Sequence, residues 1–392
     1  MFEKIIQNKD EWLRLTPSTA LYDRTLVWLY LSLLVFGFVM VTSASIPVGL
    51  RLRNDAFHYA LRDGVYIISS IAVVFFCVQI PIKKWEKYNG VLFGVALLLL
   101  FLVLAVGSNI NGAKRWISLG ILNFQPAELA KLSIICYFAS FYVRKFDEIR
   151  TGFASAWRPM TILALFGGFL LLQPDLGSTF VLFVLTFAML FIVGAKLLQF
   201  IILGFLGLGL IAFFIVTSNY RLARVKTFLD PWADAYGDGF QLTNSQMAFG
   251  QGEWFGRGLG NSVQKLGYLP EANTDFVMAV IGEELGFMGI LAVIILFVLL
   301  SIRAFKISSE SLRSEERFKG FLSFGIGIWI FLQSFVNLGV TTGLLPTKGL
   351  TFPFISYGGS SLMIMSVAIA ILLRIDFENR LEKVKYANPK DY

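Results

Sequence analysis

The sequence predicts an all-α integral membrane protein of about ten transmembrane helices, with one long structured loop on the outer side, built as a single polytopic domain over residues 1–392. Three observations predict it. Of the 392 residues, 56% are hydrophobic and only 15% are charged, whereas soluble domains carry about 25% charged residues. Apolar runs of helix-spanning length, about 17 to 25 residues, recur from one end of the chain to the other. No long polar stretch lacks a flanking span, so no soluble domain separates out.

The elements follow in order. About 25 mixed polar residues precede the first apolar run, Leu26 to Thr42, which is too long for a signal-peptide core and reads as a retained first span. The spans fall at 26–45, 64–80, 89–107, 127–143, 159–172, 177–195, 197–217, 276–302, 318–338 and 354–375. The fifth is shorter than about 17 residues and is bracketed by Pro159 and Gln173-Pro174. A thin or tilted helix and an interrupted helix near a substrate site both account for it.

An even number of spans puts both termini on one side. Lys and Arg are about twice as frequent in the loops of that side, which places the termini in the cytoplasm. The longest loop, 217–275, then faces outward. Its interleaved aromatic and apolar residues (Trp232, Phe240, Phe249, Trp254, Phe255) argue against disorder. Short amphipathic segments on the outer membrane surface, covering a site, are expected there.

The net charge of +8 lies in loops between spans, where membrane orientation explains it, so nucleic-acid binding is excluded. Cys77 and Cys136 sit inside apolar runs and read as small buried hydrophobes. The single histidine, His58, cannot build a His-rich metal site. A phosphate loop, a His-Glu-x-x-His helix and a nucleophile elbow are all missing. The glycines between 250 and 260 do not fit the dinucleotide fingerprint.

Ionisable groups in or beside spans are costly and therefore functional candidates. Asp275 begins the apolar run of the eighth span, where a helix cap and a catalytic carboxylate are both open readings. Glu283 and Glu284 follow, roughly 12–14 Å further along a continuous helix. They need cations or a wet cavity, and they point about 100° apart, so one partner cannot easily serve both. Arg115, in the second outer loop, could grip a phosphate or simply face headgroups. Gln125-Pro126-Ala127-Glu128 reads as a helix start. Lys131 lies one turn on, so it can pair with Glu128, Glu283 or Glu284. Lys348 is in the last outer loop, ahead of Ser356 and a run of small residues that allow close packing or leave room for a substrate. Asp175 is expected to be a turn residue.

Taken together, these segments resemble the SEDS family of membrane peptidoglycan polymerases over nearly the whole chain. The resemblance is carried by Lys114-Arg115-Trp116-Ile117, Gln125 to Lys131, Gln173-Pro174-Asp175-Leu176-Gly177, Tyr268 to Phe276, Gly282-Glu283-Glu284-Leu285-Gly286 and Ser356 to Ser361, in that order. Pro346-Thr347-Lys348-Gly349 and Tyr22-Asp23-Arg24-Thr25-Leu26 look like the division branch rather than the elongation branch. Asn273 departs from the pattern, since a histidine is common at that position.

The resemblance implies polymerisation of lipid II into glycan strands at the bacterial inner membrane, at the division septum, with undecaprenyl pyrophosphate leaving. It marks Asp275 as the catalytic aspartate, acting as general base. Arg115, Lys131 and Lys348, with Glu128, Glu283, Glu284 and Ser356, form the substrate-binding set. It implies no covalently bound cofactor, although a divalent cation (Mg or Mn) could share the pyrophosphate charge. The implied partners are a class B penicillin-binding transpeptidase and other division proteins. The rival readings are a lipid II flippase, an elongation-branch polymerase and a scaffold.

Overall fold

The computed structural model describes residues 22–110, 113–118, 120, 123–151, 157–217, 219–346 and 349–387. Its first helix, α1 (Arg24–Arg53), is started by Asp23, whose carboxylate accepts from the Leu26 amide at 3.1 Å, and is stopped by Asn54 in the left-handed region. Two peripheral helices follow, α2 (His58–Val78) and α3 (Ile82–Val106), studded with lipid-facing residues such as Ile68, Phe75, Val91 and Leu98.

The next stretch departs from the all-helical expectation. A small antiparallel sheet, β1 (Ser108–Ile110), β2 (Ala113–Ser118) and β3 (Asn123–Phe124), fills the second outer loop, with Asn109 opposite Lys114 and Ile117 opposite Phe124. Its backbone pairing holds Arg115 on a rigid strand. The chain then enters α4 (Pro126–Arg144) with Pro126 in the first turn and Glu128 at the positive helix end.

A short α5 (Phe146–Thr151) leads to α6 (Trp157–Leu172), a 16-residue helix in the place of the fifth span. Asp175 starts α7 (Leu176–Val193) by accepting from the Ser178 amide at 3.0 Å, in line with its expected turn role. α8 (Leu197–Val216) is strongly apolar. The expected outer loop is folded, containing α9 (Asn219–Leu229), α10 (Phe240–Gly252) and a 3-10 turn at Gln264–Leu266. The last three helices are α11 (Val277–Arg313), α12 (Arg317–Thr342) and α13 (Gly359–Ala387).

All ten predicted spans coincide with helices. Among the described residues, seven helices are long and apolar enough to cross a membrane. α4 is not one of the seven, since it carries Glu128 and Lys131 and is instead wrapped by protein, with most of its side chains buried. α12 and α13 form the centre of the bundle, with 67% and 78% of their apolar windows buried against 17% for α2.

The eighth span corrects the sequence reading. α11 is not continuous, because Gly286 sits at φ 67, ψ −165 and breaks it. The polar groups freed by the break are taken by the outer loop: Arg257 and Gly258 amides donate to Glu283 and Glu284 carbonyls, each at 2.9 Å, and the Phe287 amide donates to Glu253 O at 2.9 Å. A Cβ on Gly286 would lie 2.4 Å from Gly256 N, so the approach requires glycine. Exposed apolar residues on α11 begin only at Phe287 and Met288 and continue to Ile302. Glu283 and Glu284 therefore precede the lipid-facing stretch and are not deep within it.

Candidate active site

Asp275 is one residue short of the cap. The N-cap of α11 is Phe276, which makes no side-chain cap bond. The Asp275 carboxylate, half-buried, lies instead against Gly349. A Cβ at Gly349 would stand 2.9 Å from Asp275 Oδ2 and 3.9 Å from Arg115 Nη1. A carboxylate and a guanidinium thus both approach one glycine backbone. Arg115 is aimed there by donating from Nε to Gln173 O at 3.1 Å and from Nη2 to Pro174 O.

The loop before α13 builds the wall. Ser356 Oγ donates to Thr274 O at 2.5 Å and accepts from the Phe352 amide at 2.8 Å, and the Tyr357 amide donates to Asn273 O at 2.9 Å. Ser356 is buried and grips the backbone beside Asp275, so it acts on the site through the chain. Asn273 reaches the other way, donating to Ser45 Oγ on α1 at 3.3 Å. Lys348 lies outside the described residues.

Beneath the wall is a buried polar column. Asn337 on α12 donates to both Asp275 O and Leu350 O. One turn away on α12, Gln333 donates to Thr351 O at 3.1 Å, while its Oε1 accepts from Lys131 Nζ at 2.7 Å and from the Trp329 indole at 2.8 Å. Lys131 pairs with Glu128 at 2.8 Å and packs over the Trp329 ring at 5.4 Å. Lys131 and Glu128 are 0% and 2% exposed, so the charges survive only as a pair.

Glu283 and Glu284 are not brought to Asp275. Glu283 accepts from Ser262 Oγ at 2.5 Å and from the Val263 and Gln264 amides. Glu284 pairs with Lys265 at 2.6 Å and accepts from Ser43 Oγ at 2.8 Å. Each carboxylate has its own partner set, as their divergent directions required. Both fasten the outer loop to the bundle. Lys131 pairs with neither.

Sequence reasoning missed Asn337, Gln333 and Lys265. The first two carried a signal, since amide side chains four residues apart share one helix face inside an apolar span. Lys265 carried none, because its partner is set only by how the loop docks. Among the described residues, no three His, Cys, Asp or Glu side chains group as metal ligands.

The fold and site define a polytopic membrane protein in which Asp275 and Arg115 come together beside Gly349 at one end of the bundle. A family model for FTSW_RODA_SPOVE, described as cell cycle protein, matches residues 24–381. The chain belongs to that family, the one its motifs resemble. It is 63% identical over 391 residues to the probable peptidoglycan glycosyltransferase FtsW of Haemophilus ducreyi, covering 100% of this chain and 98% of that one. It is 51% identical over 370 residues to the protein of the same name from Escherichia coli O157:H7, covering 94% and 89%. Among solved structures, it is similar to a chain of a peptidoglycan synthase complex that coordinates polymerization and crosslinking, at TM-score 0.75, 30% identity and 91% and 98% coverage. It is also similar to the rod shape determining protein RodA of Thermus thermophilus, at TM-score 0.67, 28% identity and 92% and 98% coverage.

Proposed function

We propose that this chain is the division-branch peptidoglycan glycosyltransferase, joining lipid II units into glycan strands at the outer face of the bacterial inner membrane. The observation that carries the reading is the approach of both Asp275 and Arg115 to Gly349. The 4-hydroxyl oxygen of the acceptor sugar attacks the anomeric carbon of the donor. The bond from that carbon to pyrophosphate breaks, and the hydroxyl proton passes to Asp275. Arg115 faces the leaving group and offsets its developing charge. The ordinary carboxylate is a weak base, with pKa about 4, so Asp275 serves by placement as the hydroxyl becomes acidic in the transition state.

The buried column does not touch this chemistry directly. It fixes the backbones of Asp275 and of residues 350 and 351. A divalent cation, Mg or Mn, would be a visitor carried by substrate phosphates. Asp275 would be the carboxylate to share it, and magnesium would keep water and phosphate oxygens as its other ligands.

Both termini face the cytoplasm in this reading, and a class B penicillin-binding transpeptidase and other division proteins act beside the chain, cross-linking what it polymerises. The placing of Asp275 and Arg115 together at one end of the bundle favours chemistry at that face over a flippase, which needs a polar path across the bilayer. The test uses purified protein with its transpeptidase partner in liposomes holding lipid II only in the leaflet at the Asp275 face. Polymerase activity yields glycan strands there. Transfer of lipid II to the opposite leaflet without strands would support the flippase instead.

A further inference from the structure

Asp63 is in the second turn of α2, at the same end of the bundle as the Asp275 site. It is 3% exposed, and among the described residues it makes no hydrogen bond or ion pair. Every other buried carboxylate described has a donor: Asp23, Glu128, Asp175, Glu283, Glu284 and Asp376. A buried carboxylate without a donor is costly to hold in the charged form. The fold retains Asp63 at that cost.

Its surroundings are aromatic. Tyr59 and Tyr66 flank it on the same helix face, and both pack on Tyr357, at centroid distances of 5.5 and 5.9 Å. Gly359, the first residue of α13, lies flat on Tyr66, since a Cβ there would be 2.9 to 3.0 Å from the ring. Arg62, exposed at the rim, lies near the Tyr357 hydroxyl. The Tyr357 amide holds Asn273 O, two residues before Asp275.

We infer that Asp63, with Tyr59, Arg62, Tyr66 and Tyr357, is a saccharide subsite that holds a hexosamine unit of the glycan beside the reacting centre. The inference rests on the polymerase reading above. A pyranose offers hydroxyl and acetamido N–H donors to the orphan carboxylate, and its apolar C–H face to the tyrosine rings. Arg62 and the Tyr357 hydroxyl donate to sugar oxygens. An ammonium group or metal ion would suit the carboxylate but not the guanidinium next to it. A prenyl chain would need neither charge.

The test measures binding of lipid II, and separately of undecaprenyl pyrophosphate, to full-length protein in nanodiscs, comparing wild type with Asp63→Asn and Asp63→Leu. Lipid II binding should weaken about tenfold or more in both variants, while undecaprenyl pyrophosphate binding holds. Asp63→Leu should also raise Tm, because the unpaired carboxylate is gone. Unchanged lipid II binding in a wild type that makes glycan strands overturns the subsite and leaves the polymerase reading standing. Equal loss of both ligands overturns the saccharide assignment. Failure of wild type itself to bind lipid II overturns both readings.

Discussion

Asn337 ties two strands of the site together, its Nδ2 donating to Asp275 O at 2.9 Å and to Leu350 O at 2.5 Å. One buried amide on a central helix therefore sets the separation of the Asp275 backbone from the loop that carries Gly349. Replacing it with Leu keeps the volume and strands both carbonyls, at about 1–3 kcal/mol for an unsatisfied buried group. Asn337→Leu should lower the rate of glycan synthesis by about tenfold or more, since each 1.36 kcal/mol is tenfold in rate. Lipid II affinity should change far less. A gel-based strand assay with titrated lipid II separates the two effects.

A side chain at Gly349 would crowd the carboxylate, because a Cβ would sit 2.9 Å from Asp275 Oδ2. Gly349→Ala must push the carboxylate away from Arg115. A displacement near 1 Å at reacting groups costs about 100-fold in rate, so activity should fall by that order while Tm moves by a few degrees. Parallel activity and thermal-unfolding measurements check both halves.

The Lys131–Glu128 pair is expected to show strong coupling. Lys131→Met leaves Glu128 buried and uncompensated, at about 3–5 kcal/mol. The double variant Lys131→Met with Glu128→Leu removes both charges and should recover part of that loss. Activity should not return with stability, because the polar contact to Gln333 at 2.7 Å stays broken. Tm in detergent and strand synthesis, measured on the same samples, decide this.

Glu284 and Lys265 secure the outer loop at 2.6 Å, both almost wholly buried. Lys265→Met should free the segment from residue 253 to 268 and speed its cleavage by added protease. Arg257 and the amides that hold Glu283 remain, so the helix break at Gly286 should persist. Limited proteolysis with mass mapping of the cuts reads the outcome.

Helices at all ten predicted positions were legible because each is written as an apolar run, seven of them long enough to cross a bilayer, and Asp275 and Arg115 stood out as charges near the ends of such runs. Their partners were less legible. Lys131 has its carboxylate three residues away on the same helix, and that pairing was one of the readings left open. Glu284 finds Lys265 and Ser43 only after a loop folds back, so spacing carried no trace of it. The break at Gly286 was hidden, because a single glycine in an apolar run is tolerated by a continuous helix. What breaks it is the loop, which supplies replacement hydrogen bonds to both broken ends. The three-stranded sheet was missed for a similar reason: its strands are two to six residues long, too short to show an alternating pattern.

The central claim is that Asp275 is the base for lipid II polymerisation. The most direct measurement is strand synthesis by the purified protein with its transpeptidase partner, comparing wild type with Asp275→Asn at matched Tm and matched lipid II binding. The account predicts long glycan strands from wild type and essentially none from Asp275→Asn. Equal polymerisation by the two would contradict it, and would move the chemistry away from the carboxylate that faces Arg115 across Gly349.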